Sequence, residues 1–234
     1  MSFDRKAFIR LMKQPTFTPT DCPNFLTYRD YEQYRWYART LAPLMMVTGG
    51  APLFVGNRQA TLRGDIPCDT WMVVRYPSHR GMLRMIMNPY YNLVANRFRV
   101  KGTQRLELAF TQPRDPDSGL QRHEQVLALH VAGSNGEALF TGVRARADAA
   151  GLQVVYESES RLDFDFIRNP RGPEPRPLTY PLTIAIAGGD EPALRAFSED
   201  EAVSELMDAQ DRVSVNLYRR AGKYDYLRFG KGEG

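Results

Sequence analysis

The order strand–helix–strand–strand–helix–strand occurs twice in this 234-residue chain, on either side of a linker rich in Pro, Asp and Gly near residue 116. Each unit of six elements makes an antiparallel sheet with both helices on one face, which leaves the other face bare. Two such units cover each other when the bare faces pack together, sheet against sheet. The sequence therefore predicts an α+β protein with two domains, residues 1–114 and 123–234, and a cleft between them.

Local patterns predict where the elements lie. Helical spacing predicts a short helix over 4–14, capped by Asp4 and ended by Pro15. Pro43 predicts a kink or early end of the next helix, Gly56–Asn57 predicts a bulge, and Asn88–Pro89 predicts a break. The first unit is expected to contain strand 25–28, helix 30–48, strands 52–62 and 69–76, a broken helix after Ser78 and strand 104–110. The second is expected to contain strand 125–131, helix 137–150, strands 153–166 and 182–187, helix 190–212 and strand 213–218.

Charge and cysteine content limit the classes of partner. The chain has 31 basic and 27 acidic residues, a net charge of +4. The basic residues are spread among acids and do not form the concentrated footprint of a nucleic-acid binder. Cys22 and Cys68 show neither metal-type spacing nor a disulfide framework. With no signal-peptide pattern and no long apolar stretch, we expect a cytoplasmic monomer or homodimer that binds a small molecule, without nucleic acid or membrane.

One stretch resembles a known family. Residues 69–78 read DTWMVVRYPS, residues 88–91 read NPYY, and Arg97 follows. These motifs resemble uncharacterised bacterial domains of the dimeric α/β-barrel superfamily, in which a strand leads into R-Y-P-S and the next helix carries a D-P-x-Y-type break and a later Arg. Asn88 stands where that family often has Asp, and His79 is a second departure.

The resemblance covers about residues 4–112, and the second half is similar only as a ferredoxin-like unit. It implies two tandem ferredoxin-like units packed as a pseudo-dimeric α/β barrel. The superfamily includes cofactor-independent monooxygenases, isomerases and cyclases, small-molecule-binding stress proteins and some haem enzymes. The resemblance therefore implies a pocket without specifying a reaction.

Arg75, Tyr76 and His79 form the densest polar cluster, where a strand ends and a helix begins. A histidine there can act as a general acid or base, and the helix N-terminus attracts an anionic group. Arg75 and Arg97 are candidates for clamping a substrate anion, and Tyr76 for orienting it. The alternative is that Ser78 caps the helix and His79 is a solvated residue of its first turn.

His130 is a second candidate acid or base, at the end of the strand over 125–131. A hydrogen-bonded structural histidine is the commoner explanation of such a position. A haem would need an axial ligand of this kind, but nothing else in the sequence favours haem. The three histidines, His79, His123 and His130, do not form a metal cluster. We therefore expect neither a metal nor a cofactor.

Aromatic residues around the first long helix can line a pocket for a planar ligand or can pack the helix on the sheet. They are Tyr28, Tyr31, Tyr34, Trp36 and Tyr37. Of these Tyr34 is a candidate for substrate contact, together with Trp71 on the strand over 69–76. Glu157, Glu159, Arg161, Asp163 and Asp165 alternate along one strand, which is typical of a charged, solvated edge.

These residues favour a cofactor-independent enzyme, an isomerase, cyclase, lyase or monooxygenase, that acts on a carbonyl-bearing or aromatic metabolite. His79, Tyr76 and His130 would be catalytic, and Arg75, Arg97, Tyr34 and Trp71 would bind the substrate. The alternative is a non-catalytic module that binds a small molecule or assembles with a partner. The Walker, G-x-G-x-x-G, G-x-S-x-G and H-E-x-x-H motifs are all missing from the sequence.

Overall fold

The computed structural model describes residues 2–3, 5–66, 68–117, 119–133, 136–161, 167–168 and 179–222. The first half contains β1 (Ser2–Phe3), α1 (Arg5–Lys13), β2 (Thr20–Tyr28), α2 (Tyr31–Thr48), β3 (Ala51–Arg63), β4 (Thr70–Tyr76), α3 (His79–Met87), a π-helical turn (Tyr91–Ala95), α4 (Asn96–Gly102), β5 (Thr103–Leu108) and β6 (Thr111–Pro113). The second half contains a 3₁₀ turn (Leu120–Arg122), β7 (Gln125–Ala132), α5 (Gly136–Ala149), β8 (Gln153–Ser160), β9 (Ile167–Arg168), β10 (Leu182–Ala187), α6 (Glu191–Glu199), α7 (Glu201–Asp208) and β11 (Arg212–Arg220).

Nine of the described strands form one sheet that closes into a barrel, and β1 pairs with β9 in a separate two-stranded sheet. The first unit has the strand order β5-β2-β4-β3 and the second has β11-β7-β10-β8, so both show the same ferredoxin-like arrangement. Antiparallel pairing of β3 with β11 joins the units on one side, and pairing of β6 with β8 joins them on the other. The α+β pseudo-dimeric barrel predicted from the sequence is confirmed.

Strand alternation divides the apolar side chains between two kinds of core, because successive residues face opposite sides of a sheet. One set points away from the barrel and packs under the helices of its own unit. The other set fills the barrel interior with large aromatic residues of both units, including Phe25, Trp71, Tyr156 and Tyr218. The expected cleft between the two sheets is therefore a packed core, as in other small barrels.

Several local expectations are corrected by tertiary packing. Helix α2 continues through Pro43 to Thr48. Strand β3 runs through Gly56 without a bulge there, and the glycine is required because a Cβ would lie 2.4 Å from the Phe54 ring. The single helix expected over 190–212 is two helices, because the carboxylate of Asp200 accepts a hydrogen bond from the Val203 amide and caps α7.

The charged strand β8 is not a solvated edge, since β10 and β6 pair with its two sides. Glu157 is buried and forms an ion pair with Arg144, whereas Glu159 and Arg161 are exposed. Burial raises the pKa of Glu157 more than Arg144 lowers it. Asp163 and Asp165, like the proposed cap Asp4, lie outside the described residues.

Candidate functional site

A cavity of about 70 Å³ lies between the helices and the sheet of the first unit. It is lined from the sheet by Cys22, Asn24, Leu26, Met72, Val74, Tyr76, Leu106 and Leu108, and from the helices by Tyr34, Tyr37, Leu41, Met45, Met82, Met85, Tyr91 and Arg99. All of these residues belong to the first unit. The second unit contributes none of them, so this cavity is not the expected cleft between the two units.

The sequence places polar groups in this cavity through two periodicities. Alternation along β4 brings Met72, Val74 and Tyr76 to the face under the helices, and helical spacing on α2 brings Tyr34 and Tyr37 there. Two glycines allow the close packing that holds the tyrosines. A Cβ on Gly50 would lie 2.6 Å from the Tyr76 ring, and a Cβ on Gly102 would lie 2.5 Å from the Tyr34 amide nitrogen.

The break at Asn88–Pro89 and the π-helical turn after it determine which arginine enters the cavity. α3 ends at Met87, and the chain resumes with a π turn from Tyr91 to Ala95, which shifts the helical phase. As a result Tyr91, Ala95 and Arg99 are buried, and Arg97 is exposed. The candidate anion clamp Arg97 therefore does not line the cavity, and Arg99 does. π turns of this kind often occur at functional sites.

The cavity combines one buried cation with several hydroxyl and thiol groups that remain protonated. The Arg99 Nε and Nη2 atoms donate to the Asn96 Oδ1 atom, at 3.0 and 2.7 Å, so the Asn96 amide helps to orient the guanidinium. Burial, and then neighbouring Tyr91, raise the pKa of Tyr37 well above its ordinary value, against the lowering effect of Arg99. Burial likewise raises the pKa of Tyr76 and of Cys22 well above their ordinary values.

Tyr76 and Arg75 are adjacent in sequence but lie on opposite faces of β4. The Tyr76 hydroxyl reaches into the cavity and lies 3.4 Å from the Met85 sulfur. The Arg75 side chain instead holds Asp21 and donates to the Pro116 carbonyl. The proposed substrate clamp at Arg75 is thus occupied by a carboxylate of the chain itself.

His79 begins α3 and is fully buried, so it is not a solvated first-turn residue. Its ring stacks on Phe17, with 4.8 Å between centroids. Within the described residues neither ring nitrogen has a hydrogen-bond partner. Burial, and then Arg80, lower the pKa of His79, which keeps the imidazole neutral. His79 does not line the cavity, but it precedes the lining residue Met82 by one helical turn on the same face.

His130 and Trp71 lie inside the barrel, on the other side of the sheet from the cavity. The His130 Nδ1 atom is 3.2 Å from the Thr183 hydroxyl, and its Nε2 atom is 3.4 Å from the Tyr218 hydroxyl. Phe25 and Trp71 meet its ring edge-on, at 4.9 and 5.3 Å between centroids. Burial lowers the pKa of His130 to about 3. The structure thus places His130 in a hydrogen-bonded aromatic core.

The residues do not fit a haem. The cavity contains no imidazole, and its volume of about 70 Å³ is far below the roughly 300–1,000 Å³ of sites for larger ligands. The Cys22 thiol keeps its proton, whereas a haem would be ligated by a thiolate. In the described segments no group of three or more His, Cys, Asp or Glu side chains is arranged to hold a metal ion. No helix of these segments is long and apolar enough to cross a membrane.

Sequence comparison finds no matching protein family and no matching curated protein. Comparison of structures does find similar proteins. A protein of unknown function from Rhodopseudomonas palustris is 21% identical and covers 49% of this chain and 97% of its own, with a TM-score of 0.46. An anthrone oxidase-like protein is 10% identical and covers 89% of this chain and 95% of its own, with a TM-score of 0.51.

A chlorite dismutase from Candidatus Nitrospira defluvii, solved with imidazole, is 8% identical to this chain. The match covers 88% of this chain and 93% of the dismutase, with a TM-score of 0.51. At these identities the likeness concerns the fold alone. Together with the strand order, it shows that the chain has the fold of the dimeric α/β-barrel proteins, with both units on one polypeptide.

Proposed function

We propose that this protein is an enzyme that moves a proton next to the carbonyl group of a small anionic substrate, bound in the helix–sheet cavity of the first unit. The observation that carries the proposal is the buried guanidinium of Arg99 in a cavity lined by Tyr34, Tyr37, Tyr76 and Tyr91. A fixed cation and preorganised hydroxyl donors are the groups that stabilise a developing enolate oxygen. Such chemistry requires no cofactor.

Each protein group has a definite role in this proposal. Arg99 binds the carboxylate or enolate oxygens. The raised pKa values of Tyr37 and Tyr76 keep both hydroxyls protonated, so they donate hydrogen bonds and do not act as bases. His79, neutral and without a described partner, is the base in this proposal: it removes the proton from carbon and returns it to another position. Because His79 does not itself line the cavity, this role requires the flexible side chain of Met82, one helical turn away, to move aside so that the cavity reaches the imidazole.

Cavity size favours a small substrate over an aromatic one. The cavity volume of about 70 Å³ is roughly twice the volume that one water molecule occupies in liquid water. It is about half the volume of a cavity that admits benzene. A 2-oxo acid of a few carbon atoms is therefore a better fit than a ring. Met45, Met72, Met82 and Met85 line the space, and rotation of these flexible side chains would enlarge it for a longer substrate.

A second candidate function is binding without catalysis. One observation favours it. The raised pKa values of Cys22, Tyr37 and Tyr76 keep these lining side chains protonated, so none of the three acts as a base. In this case Arg99 and the tyrosines would hold an anionic metabolite that is released unchanged.

The test is deuterium exchange at the carbon next to the carbonyl of pyruvate, 2-oxobutyrate and acetoacetate in D₂O, followed by NMR. We expect exchange above the buffer rate for the wild type and for Arg97→Gln, whose side chain is exposed on the same helix. We expect loss of exchange for Arg99→Gln and Tyr76→Phe, with folding checked by circular dichroism. Thermal stabilisation by these probes without exchange would support the binding module.

Native mass spectrometry of freshly purified protein provides an independent test. A retained small carboxylic acid would support the proposal directly. A retained haem or flavin would overturn the cofactor-free mechanism. If no ligand is retained and none of the three probes binds or exchanges, the cavity is not a site for this class of substrate.

A further inference from the structure

The exposed large hydrophobic side chains of the described segments are concentrated on one side of the molecule. All nine lie in or beside the helices of the first unit. The most exposed are Val47 at 84%, Met46 at 81%, Met87 at 64% and Leu93 at 61%. Because α2, α3, the π turn and α4 pack against one another over the sheet, their exposed residues share one outward surface. We call the outer surface of α1 to α4 the basic helix face.

The charges of the same helices explain that name. Two basic residues of these helices, Arg35 and Arg99, are buried and do not reach the outer surface. Eight others have described side chains that are at least partly exposed, namely Lys6, Arg10, Lys13, Arg39, Arg80, Arg84, Arg97 and Lys101. Glu32 is the one acidic residue among these four helices. The helices of the second unit have the opposite balance, with three basic and seven acidic residues in α5, α6 and α7. The modest net charge of +4 therefore conceals two helix layers of opposite sign.

We propose that the basic helix face docks on a membrane surface rich in anionic lipids. Arginine and lysine side chains are attracted to the negative surface potential of such a membrane. Exposed Met46, Val47 and Leu93 would enter the boundary between headgroups and acyl chains, as the apolar face of an interfacial helix does. The acidic helices of the second unit would be repelled and would orient the molecule with its first unit toward the lipid.

Two other occupants fit the surface less well. A second copy of the chain could offer its acidic helices, but none of the nine exposed hydrophobic residues lies there, so the apolar side chains would face charges. Single-stranded nucleic acid is bound largely by stacking on aromatic rings. Here the most exposed side chains are aliphatic, and Trp36 and Tyr90 are only about two-fifths exposed.

The test is co-sedimentation of the full chain with vesicles of phosphatidylcholine alone and with vesicles in which about a third of the lipid is phosphatidylglycerol. We expect binding only to the mixed vesicles, reduced severalfold when NaCl rises from about 0.1 to about 0.5 M. Arg84→Glu should weaken binding about tenfold or more. Arg146→Glu, the same change at an exposed arginine of α5, is the matched control and should leave binding unchanged.

The double change Met46→Ser with Val47→Ser separates apolar insertion from charge. Both side chains are exposed, so the fold is expected to be retained while vesicle affinity falls severalfold. The proposal would be overturned if this variant bound the mixed vesicles as tightly as the wild type does, or if the wild type bound both vesicle types equally. If the chain instead self-associates in a salt-sensitive way that Arg84→Glu abolishes, the partner of the basic helix face is a second copy of the chain. If the chain binds a single-stranded oligonucleotide but no vesicles, the partner is nucleic acid.

Discussion

Arg75 and Asp21 form a two-pronged ion pair at one end of the barrel. The Arg75 Nε atom donates to Asp21 Oδ1 at 2.7 Å, and Nη2 donates to Oδ2 at 2.9 Å. Asp21 is completely buried, whereas Arg75 is partly exposed. The pair joins β4 to β2, and a third bond from Arg75 to the Pro116 carbonyl ties both strands to the linker between the units.

We expect Arg75→Met to lower the free energy of unfolding by about 3–5 kcal/mol, because it leaves the Asp21 carboxylate buried without its cation. Urea denaturation would measure the loss. The matched control is Arg195→Met, which removes a half-exposed pair with Glu191 on α6 and should cost only about 0.3–0.5 kcal/mol. Equal losses in the two variants would show that Asp21 is not stabilised by Arg75.

Stability should fall in mild acid because of His130. Its pKa is about 3 in the folded barrel, against an ordinary value of 6.5, so the unfolded chain binds the proton first. The contribution of His130 is complete above pH 6.5 and is lost as pH falls toward 3, at up to about 1.4 kcal/mol per pH unit. His130→Gln should flatten this dependence between about pH 6 and 4.5, as measured by urea denaturation. An unchanged slope would contradict the assignment.

Two glycines, Gly102 and Gly142, should respond differently to substitution by alanine. Gly102→Ala would place a Cβ 2.5 Å from the backbone nitrogen of Tyr34, and we expect a loss of about 1–3 kcal/mol. In Gly142→Ala the new atom meets only the flexible end of Leu206, and the gain in helix propensity of up to about 1 kcal/mol should compensate. Thermal unfolding of both variants would test this, and a neutral Gly102→Ala would contradict the close approach.

Both cysteines should resist thiol reagents in the native protein. Cys22 and Cys68 are buried, and burial raises the pKa of Cys68 to about 12 and that of Cys22 well above its ordinary value. Because the thiolate is the reactive form, labelling by a disulfide reagent should be very slow until guanidinium unfolds the chain. Rapid native labelling of Cys22 would show that reagents enter the cavity freely.

The element order was predictable because turn residues and apolar periodicities repeat in both halves. The side of the sheet that carries a pocket was not predictable. The residue pattern of a strand distinguishes its two faces but does not show which elements cover each face. Alternation alone does separate Arg75 from Tyr76, so these neighbours could not share a site on a regular strand. The polar cluster predicted at residues 75–79 assumed that residues close in sequence are also close in space, which is wrong for Arg75 and Tyr76.

The choice of Arg97 over Arg99 has a different cause. Arg97 is the candidate from the sequence because it stands where the similar family has its later Arg, but after the break at Asn88–Pro89 and the π turn the phase of the helix buries Tyr91 and Arg99 instead. Five-residue turns leave no simple signature in a single sequence. The basic helix face was missed for a similar reason, because its charges come from helices separated in sequence and meet only in the tertiary structure.

Fusion of two ferredoxin-like units into one chain has a consequence for stoichiometry. In a barrel made from two identical chains, every hollow occurs twice. Here the cavity lies in the first unit, whereas the buried core under the helices of the second unit includes Leu129, Phe140 and Ile184. If the first-unit cavity is the binding site, a ligand titration should saturate at one equivalent per chain, along a simple hyperbola without cooperativity.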